Sequence, residues 1–162
     1  MWIGFGEDAH RLEPGRKLML GGVEIASDRG PVAHSDGDAL LHAIADAVLS
    51  AVGAGDIGEI FPDSDPRWAG LAGAELLEQV LELAGAHPLR CERPRCGRVR
   101  QVRAVVTLDR PKLAPYREAM RRRIAELVGL EPGDVSVAFK TSEGLAPDHV
   151  QARVLVVLEP QA

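Results

Sequence analysis

Apolar positions recur along the chain at two periods, and the changes between them mark its elements. Residues 2–7 form a short, glycine-rich run that reads as a strand. Lys17 to Ile25 reads as two short strand arms about Gly21-Gly22, a pair suited to a tight hairpin turn. Leu41, Ile44, Ala45, Val48 and Val52 then keep a helical spacing, with Asp36 placed to cap the helix and Gly53 and Gly55 to end it. The stretch 58–66 reads as loop. A second helical stripe, Leu76, Leu77, Val80, Leu81 and Leu83, covers residues 72–84. A third follows Pro115, with Tyr116, Met120, Ile124, Leu127 and Val128 on one face. The segments 102–108, 135–141 and 150–158 are densely apolar and read as strands. Strands and helices interleave with no repeat and no linker. This predicts one α+β domain over residues 1–162, a mixed β-sheet with helices packed on one face.

Composition narrows the class. At 162 residues the chain suits one domain, and its 4% aromatic content leaves the core to Val, Leu, Ile and Ala. The net charge of -5 argues against a general nucleic-acid binder. No apolar run is long enough for a membrane span and no signal peptide precedes Met1-Trp2-Ile3, so the expected location is cytoplasmic. Two cysteines, Cys91 and Cys96, make a disulfide scaffold a poor expectation, and Cys-x4-Cys with no further ligand makes a poor zinc site.

The chemistry concentrates early in the chain. Asp8 and His10 stand two apart on a strand, so their side chains point the same way. His42 lies on the first helix, with Asp38 and Asp46 four residues to either side. Two histidines and one aspartate suit a divalent metal such as zinc, leaving a fourth position open. Either aspartate could orient His42, and Asp46 is the favoured one. On spacing alone, ordinary surface or core histidines remain the more common reading.

Further motifs follow in order. They are Ala33-His34-Ser35-Asp36-Gly37-Asp38, Gly55-Asp56-Ile57-Gly58, Phe61-Pro62-Asp63-Ser64-Asp65-Pro66, Arg110-Pro111-Lys112-Leu113 and Lys140-Thr141-Ser142-Glu143. With Asp8-Ala9-His10 and His42, this series resembles the 2-C-methyl-D-erythritol 2,4-cyclodiphosphate synthase family over nearly the whole chain.

The resemblance implies a homotrimer with active sites between subunits. It implies a cytidine diphosphate substrate, 4-diphosphocytidyl-2-C-methyl-D-erythritol 2-phosphate, cyclised with release of CMP by a phosphorus–oxygen lyase. It implies zinc on Asp8, His10 and His42, and magnesium or manganese placed by Glu143 on the diphosphate. His34 and Thr141 would stabilise the transition state and Ser35 would help hold the diphosphate. Asp56, Ile57 and Gly58, with Phe61, Pro62, Asp63, Ser64 and Asp65, would take the methylerythritol end. Leu108, Asp109, Arg110, Pro111, Lys112, Leu113 and Ala114 would form the cytosine pocket, with Lys112 reaching the diphosphate and Lys140 and Ser142 beside it. The implied chemistry sets one phosphate anion against another, which requires positive charge rather than a general base.

Two places depart from the family's common pattern. Family members often carry Lys-Ala-Thr-Thr-Thr-Glu, then Gly-Phe and Gly-Arg-Gly-Glu-Gly. This chain reads Phe139-Lys140-Thr141-Ser142-Glu143-Gly144-Leu145-Ala146-Pro147-Asp148-His149, about four residues shorter after the glutamate. A ligand in a cavity along the trimer axis is therefore in question. His149 reads as structural or surface, and His87 as loop. Within the arginine-rich stretch from Arg90 to Arg103, the extra chain around Cys91 to Gln101 reads as a solvated hairpin extension with its arginines outward. Two other readings compete: a non-catalytic trimeric binder of phosphorylated ligands, and a zinc hydrolase with Asp56 or Asp38 as its base.

Overall fold

A computed structural model describes residues 1–62, 64–86 and 97–160. Seven strands and four α-helices are present among these. They run β1 (Trp2–Pro14), β2 (Leu18–Leu20), β3 (Val23–Ile25), β4 (Arg29–Pro31), α1 (Ala39–Val52), α2 (Ile57–Ile60), α3 (Gly73–Leu83), β5 (Gly97–Leu108), α4 (Arg117–Val128), β6 (Val135–Lys140) and β7 (His149–Pro160). One five-stranded sheet has the order β4-β1-β7-β5-β6. Only β5 and β6 run parallel, joined through α4, and the other neighbours are antiparallel. The sheet is mixed, as the interleaved pattern predicts. β2 and β3 form a separate hairpin.

Alternation along the strands decides which face is covered. Val150, Ala152, Val154, Val156 and Leu158 of β7 are buried under the helices, while Arg153 and Leu155 between them are exposed. On β1, Gly4 and Gly6 face α1, and Ile3 and Phe5 face out, at 59% and 57% exposure. Helix α1 packs on β1 and β7, and its Leu40, Leu41, Ile44, Val48 and Leu49 are fully buried. Each such side chain is worth about 1.5–3 kcal/mol of burial. Burial of those five residues holds α1 within the core, between the sheet, the hairpin and α3.

Several elements differ from the sequence expectation. β1 continues to Pro14, because its second half pairs with β4 and β7. The three-residue strand β4, ending in Gly30-Pro31, carries no periodic signal. The stretch expected as loop overlaps most of α2 and the start of a 3-10 turn over Pro66–Trp68. Pro115 sits in a 3-10 turn that leads into α4. Of the arginine-rich stretch, Gly97 to Arg103 is the start of β5, whereas His87, Cys91 and Cys96 lie outside the described residues. His149 opens β7 opposite Arg11.

The cap of α1 is Asp38 rather than Asp36. Its Oδ1 accepts the N–H groups of Leu41 (3.0 Å) and Gly21 (2.8 Å), and its Oδ2 accepts that of Gly22 (2.7 Å). Gly21 and Gly22 both have left-handed backbones, with φ of +62° and +73°. One buried carboxylate thus joins the hairpin turn to the start of the helix. Asp36 accepts instead from the N–H groups of Asp38 and Gly73, tying the same loop to α3.

Candidate metal and substrate site

Asp8 and His10 continue the side of β1 begun by Gly4 and Gly6. A Cβ on Gly4 would lie 1.8 Å from the Ala47 carbonyl oxygen, and one on Gly6 would lie 2.1 Å from that of Ala43. The backbone of α1 therefore rests directly on β1. This close approach carries His42 to the two β1 side chains, with its Nδ1 3.1 Å from Asp8 Oδ2. His10 Nε2 lies 2.8 Å from the same oxygen, and the two imidazoles meet edge to face at 5.8 Å. One donor atom from each residue falls within 4.8 Å of the others.

The electrostatics fit a cation. Burial pushes the Asp8 carboxyl up, but the closely placed imidazoles of His10 and His42 outweigh it and hold the group well below the usual carboxylate range. Burial lowers His42, yet the hydrogen bond and charge of Asp8, with Asp38 and Asp36 behind, leave it above the usual histidine value. His10 Nε2 is buried and makes no hydrogen bond, because its short contact with Asp8 is poorly directed for one. A buried ring nitrogen left over beside an ionised carboxylate is the kind of orphan group that an ion satisfies. Asp, His and His is a zinc donor set with room for one more ligand.

Neither expected aspartate orients His42. Asp38 is fully taken by its three backbone donors, and Asp46 accepts the Ile57 N–H at 2.8 Å. The ring faces Asp8 on one side and Ser35 Oγ, 3.5 Å away, on the other.

A cleft of about 730 Å³ opens beside the triad, and His34, Ser35, Ile57, Phe61 and Trp68 are among its walls. Asp46 fixes the start of α2 against α1, and Asp56 caps that turn by accepting the Glu59 N–H. Gly58, Pro62, Ser64 and Asp65 also line the cleft, while Asp63 lies outside the described residues. Asp65 accepts from the Arg67 backbone and guanidinium, and burial plays little part in its lowered pKa; the side-chain hydrogen bond of Arg67 leads. Phe61 and Trp68 stack edge to face at 5.0 Å.

The remaining expected residues gather elsewhere. Leu108, Asp109, Pro111, Lys112, Leu113 and Ala114 line a second pocket of about 410 Å³, together with Lys140, Thr141 and Glu143. No lining residue is shared with the first cleft. Arg110 and Ser142 stand beside it, and Ser142 donates through its hydroxyl to Asp109 at 2.8 Å. Asp109 also accepts the N–H groups of Ser142 and Gly144, and those bonds, the Ser142 backbone first, hold its carboxyl below the usual range. Between the two clamped residues Glu143 takes a left-handed φ of +55°. That conformation is uncommon for a residue with a side chain, and the clamp of Asp109 supports it. Thr141 donates to Glu143 across 2.5 Å.

Sequence reasoning did not single out Trp68, Arg117 or Phe139, each of which lines one of the two pockets. Trp68 left a signal as an aromatic residue just after the polar Pro62–Pro66 loop, and Phe139 one as a ring where the family's pattern has alanine.

Comparison with known proteins shows the family. The model of the YgbB family matches residues 1–159. A 2-C-methyl-D-erythritol 2,4-cyclodiphosphate synthase from Thermus thermophilus is 52% identical, over 98% of this chain and 99% of that protein. One from Aquifex aeolicus is 44% identical, over 88% of this chain and 86% of that protein. A solved 2C-methyl-D-erythritol-2,4-cyclodiphosphate synthase in a CDP-bound form superposes with a TM-score of 0.86 at 48% identity, covering 97% of this chain and 99% of its own. The chain is therefore an enzyme of the YgbB family, that of the 2-C-methyl-D-erythritol 2,4-cyclodiphosphate synthases.

Proposed function

We propose that the protein converts 4-diphosphocytidyl-2-C-methyl-D-erythritol 2-phosphate to 2-C-methyl-D-erythritol 2,4-cyclodiphosphate and CMP. The observation that carries this is the convergence of Asp8, His10 and His42 on one point beside a cleft of about 730 Å³. The names and identities of the relatives support the substrate.

An oxygen of the 2-phosphate attacks the β-phosphorus. The bond from that phosphorus to the bridging oxygen breaks, and its electron pair leaves on CMP, which makes the enzyme a phosphorus–oxygen lyase. Nucleophile and target are both anionic, so the protein's task is to hold them in line and offset their repulsion. Asp8, His10 and His42 would hold zinc, and Glu143 would hold magnesium or manganese on the diphosphate. Bound there, these ions supply Lewis-acid polarisation and charge neutralisation. His34 and Thr141 donate to the phosphoryl oxygens, and Ser35 helps hold the diphosphate. Asp56, Ile57 and Gly58, with the loop from Phe61 to Asp65, position the methylerythritol end. The backbone from Leu108 to Ala114 reads the cytosine edge while Lys112, Lys140 and Ser142 serve the diphosphate.

The working unit in this reading is a homotrimer with sites between subunits. Two observations support it: the metal cleft and the second pocket share no residue, and Ile3, Phe5, Val105 and Leu155 place exposed apolar side chains among the charged ones on the open face of the sheet. Among the described residues no helix is long and apolar enough to cross a membrane. A cytoplasmic location suits the bacterial relatives, although an Arabidopsis thaliana relative at 43% identity is chloroplastic. The experiment is phosphorus NMR of the reaction products. A cyclic diphosphate is expected, and free inorganic phosphate in its place would refute the proposal.

A further inference from the structure

The second pocket has a wall that the substrate assignment above does not use. Phe139, near the end of β6, and Arg117, the first residue of α4, both line it, and the Arg117 guanidinium carbon stands 5.0 Å from the centre of the Phe139 ring. The chain has only three phenylalanines. Phe61 lines the metal cleft and Phe5 stands on the open face of the sheet, so Phe139 is the one placed at this pocket. Counted back from the glutamate, Phe139 takes the place of the alanine in the family's common Lys-Ala-Thr-Thr-Thr-Glu pattern. A ring stands where that pattern has a methyl group.

We propose that Phe139 and Arg117 form a stacking wall that strengthens nucleobase binding in this chain. The inference rests on reading this pocket as the cytidine subsite. An aromatic ring and a guanidinium are both flat and present faces on which a planar base can pack. Arg117 is exposed and Phe139 half-buried, so the wall is reachable from solvent. The cationic groups of Lys112 and Lys140 line the same pocket and suit the phosphates. The parts divide the work: the wall supplies affinity for a flat base of any kind, and the backbone from Asp109 to Leu113 supplies the choice of base. Stacking of this kind is worth roughly 5- to 150-fold in affinity per base.

The test is calorimetric titration of the zinc-loaded protein with CDP, and separately with inorganic diphosphate, in the presence of magnesium. Phe139→Ala and Phe139→Leu should each weaken CDP about tenfold, leaving diphosphate affinity and zinc content unchanged. Phe139→Tyr should bind CDP as the wild type does, since it keeps the ring. Arg117→Ala should weaken CDP about threefold. Wild-type affinity for CDP in both Phe139→Ala and Phe139→Leu would overturn the wall. So would an equal loss of CDP and diphosphate, which would mark a general distortion of the pocket. A wild-type protein that binds diphosphate but not CDP would instead remove the cytidine reading on which the wall depends.

Discussion

Asp8 on β1 and His42 on α1 face each other at 3.1 Å across a strand–helix contact that leaves no space for a side chain at Gly6. The metal triad depends on that spacing as much as on its own three residues. Gly6→Ala would place a Cβ 2.1 Å from the Ala43 carbonyl oxygen and 2.4 Å from the Ala47 nitrogen, both backbone atoms that cannot rotate away. The helix must lift. Overpacking of this kind costs about 1–3 kcal/mol, and zinc affinity should fall by roughly tenfold or more. Denaturant unfolding and zinc titration read the two effects. Gly133→Ala is the control, since nothing lies within 4 Å of a Cβ there. Matching zinc affinity in both variants would detach the triad from the packing of α1.

Asp38 offers a purely structural counterpart. Asp38→Ala leaves the N–H groups of Gly21, Gly22 and Leu41 without their acceptor in a buried place. A lost cap and buried unsatisfied donors together should cost about 2–4 kcal/mol. Urea unfolding should show the midpoint falling with an unchanged slope. A loss below about 1 kcal/mol would mean that water reaches these donors and the clamp is not what holds the hairpin.

The two proposed metal roles separate by mutation. His42→Ala should lose bound zinc and activity while keeping the wild type's oligomeric state, as elemental analysis and sedimentation would report. Glu143→Gln should keep its zinc and shift the magnesium requirement upward. Full zinc occupancy in His42→Ala, or an unchanged magnesium optimum in Glu143→Gln, would reject the corresponding role.

Asp109 gives a pH prediction with a definite sign. Its carboxyl lies below 3.8 in the folded protein because the N–H and hydroxyl of Ser142, and then the N–H of Gly144, favour the charged form. A depressed carboxylate contributes fully above its unfolded value and loses its contribution as pH falls through the folded one. The clamp about Glu143 should therefore be indifferent to pH near neutrality and release only below 3.8. NMR titration of the Asp109 carboxyl would show this as a midpoint under 3.8, and a midpoint at or above that value would remove the clamp.

Much of this architecture is legible in the sequence. The helical period from Leu41 to Val52 marks α1, and Gly21-Gly22 marks the hairpin. Asp8 and His10 share a side because a strand alternates. The partners of the aspartates are not legible. Asp38 and Asp46 stand equally far from His42 in sequence, and only the fold reveals the backbone N–H groups of Gly21, Gly22 and Ile57 that claim them. The cap of α1 is ambiguous for the same reason, since Asp36 and Asp38 are equally good capping residues until Gly73 takes the first. The meeting of Phe139 and Arg117 is hidden because it depends on how α4 returns to β6, which no local pattern encodes.

The most direct measurement is CMP release from the purified protein given the diphosphocytidyl substrate, zinc and magnesium, with a chelator control. The account predicts CMP and a cyclic diphosphate in equal amounts, abolished by the chelator and restored by the metals. No CMP from a folded, zinc-loaded protein would contradict it and leave a binder of phosphorylated ligands in its place.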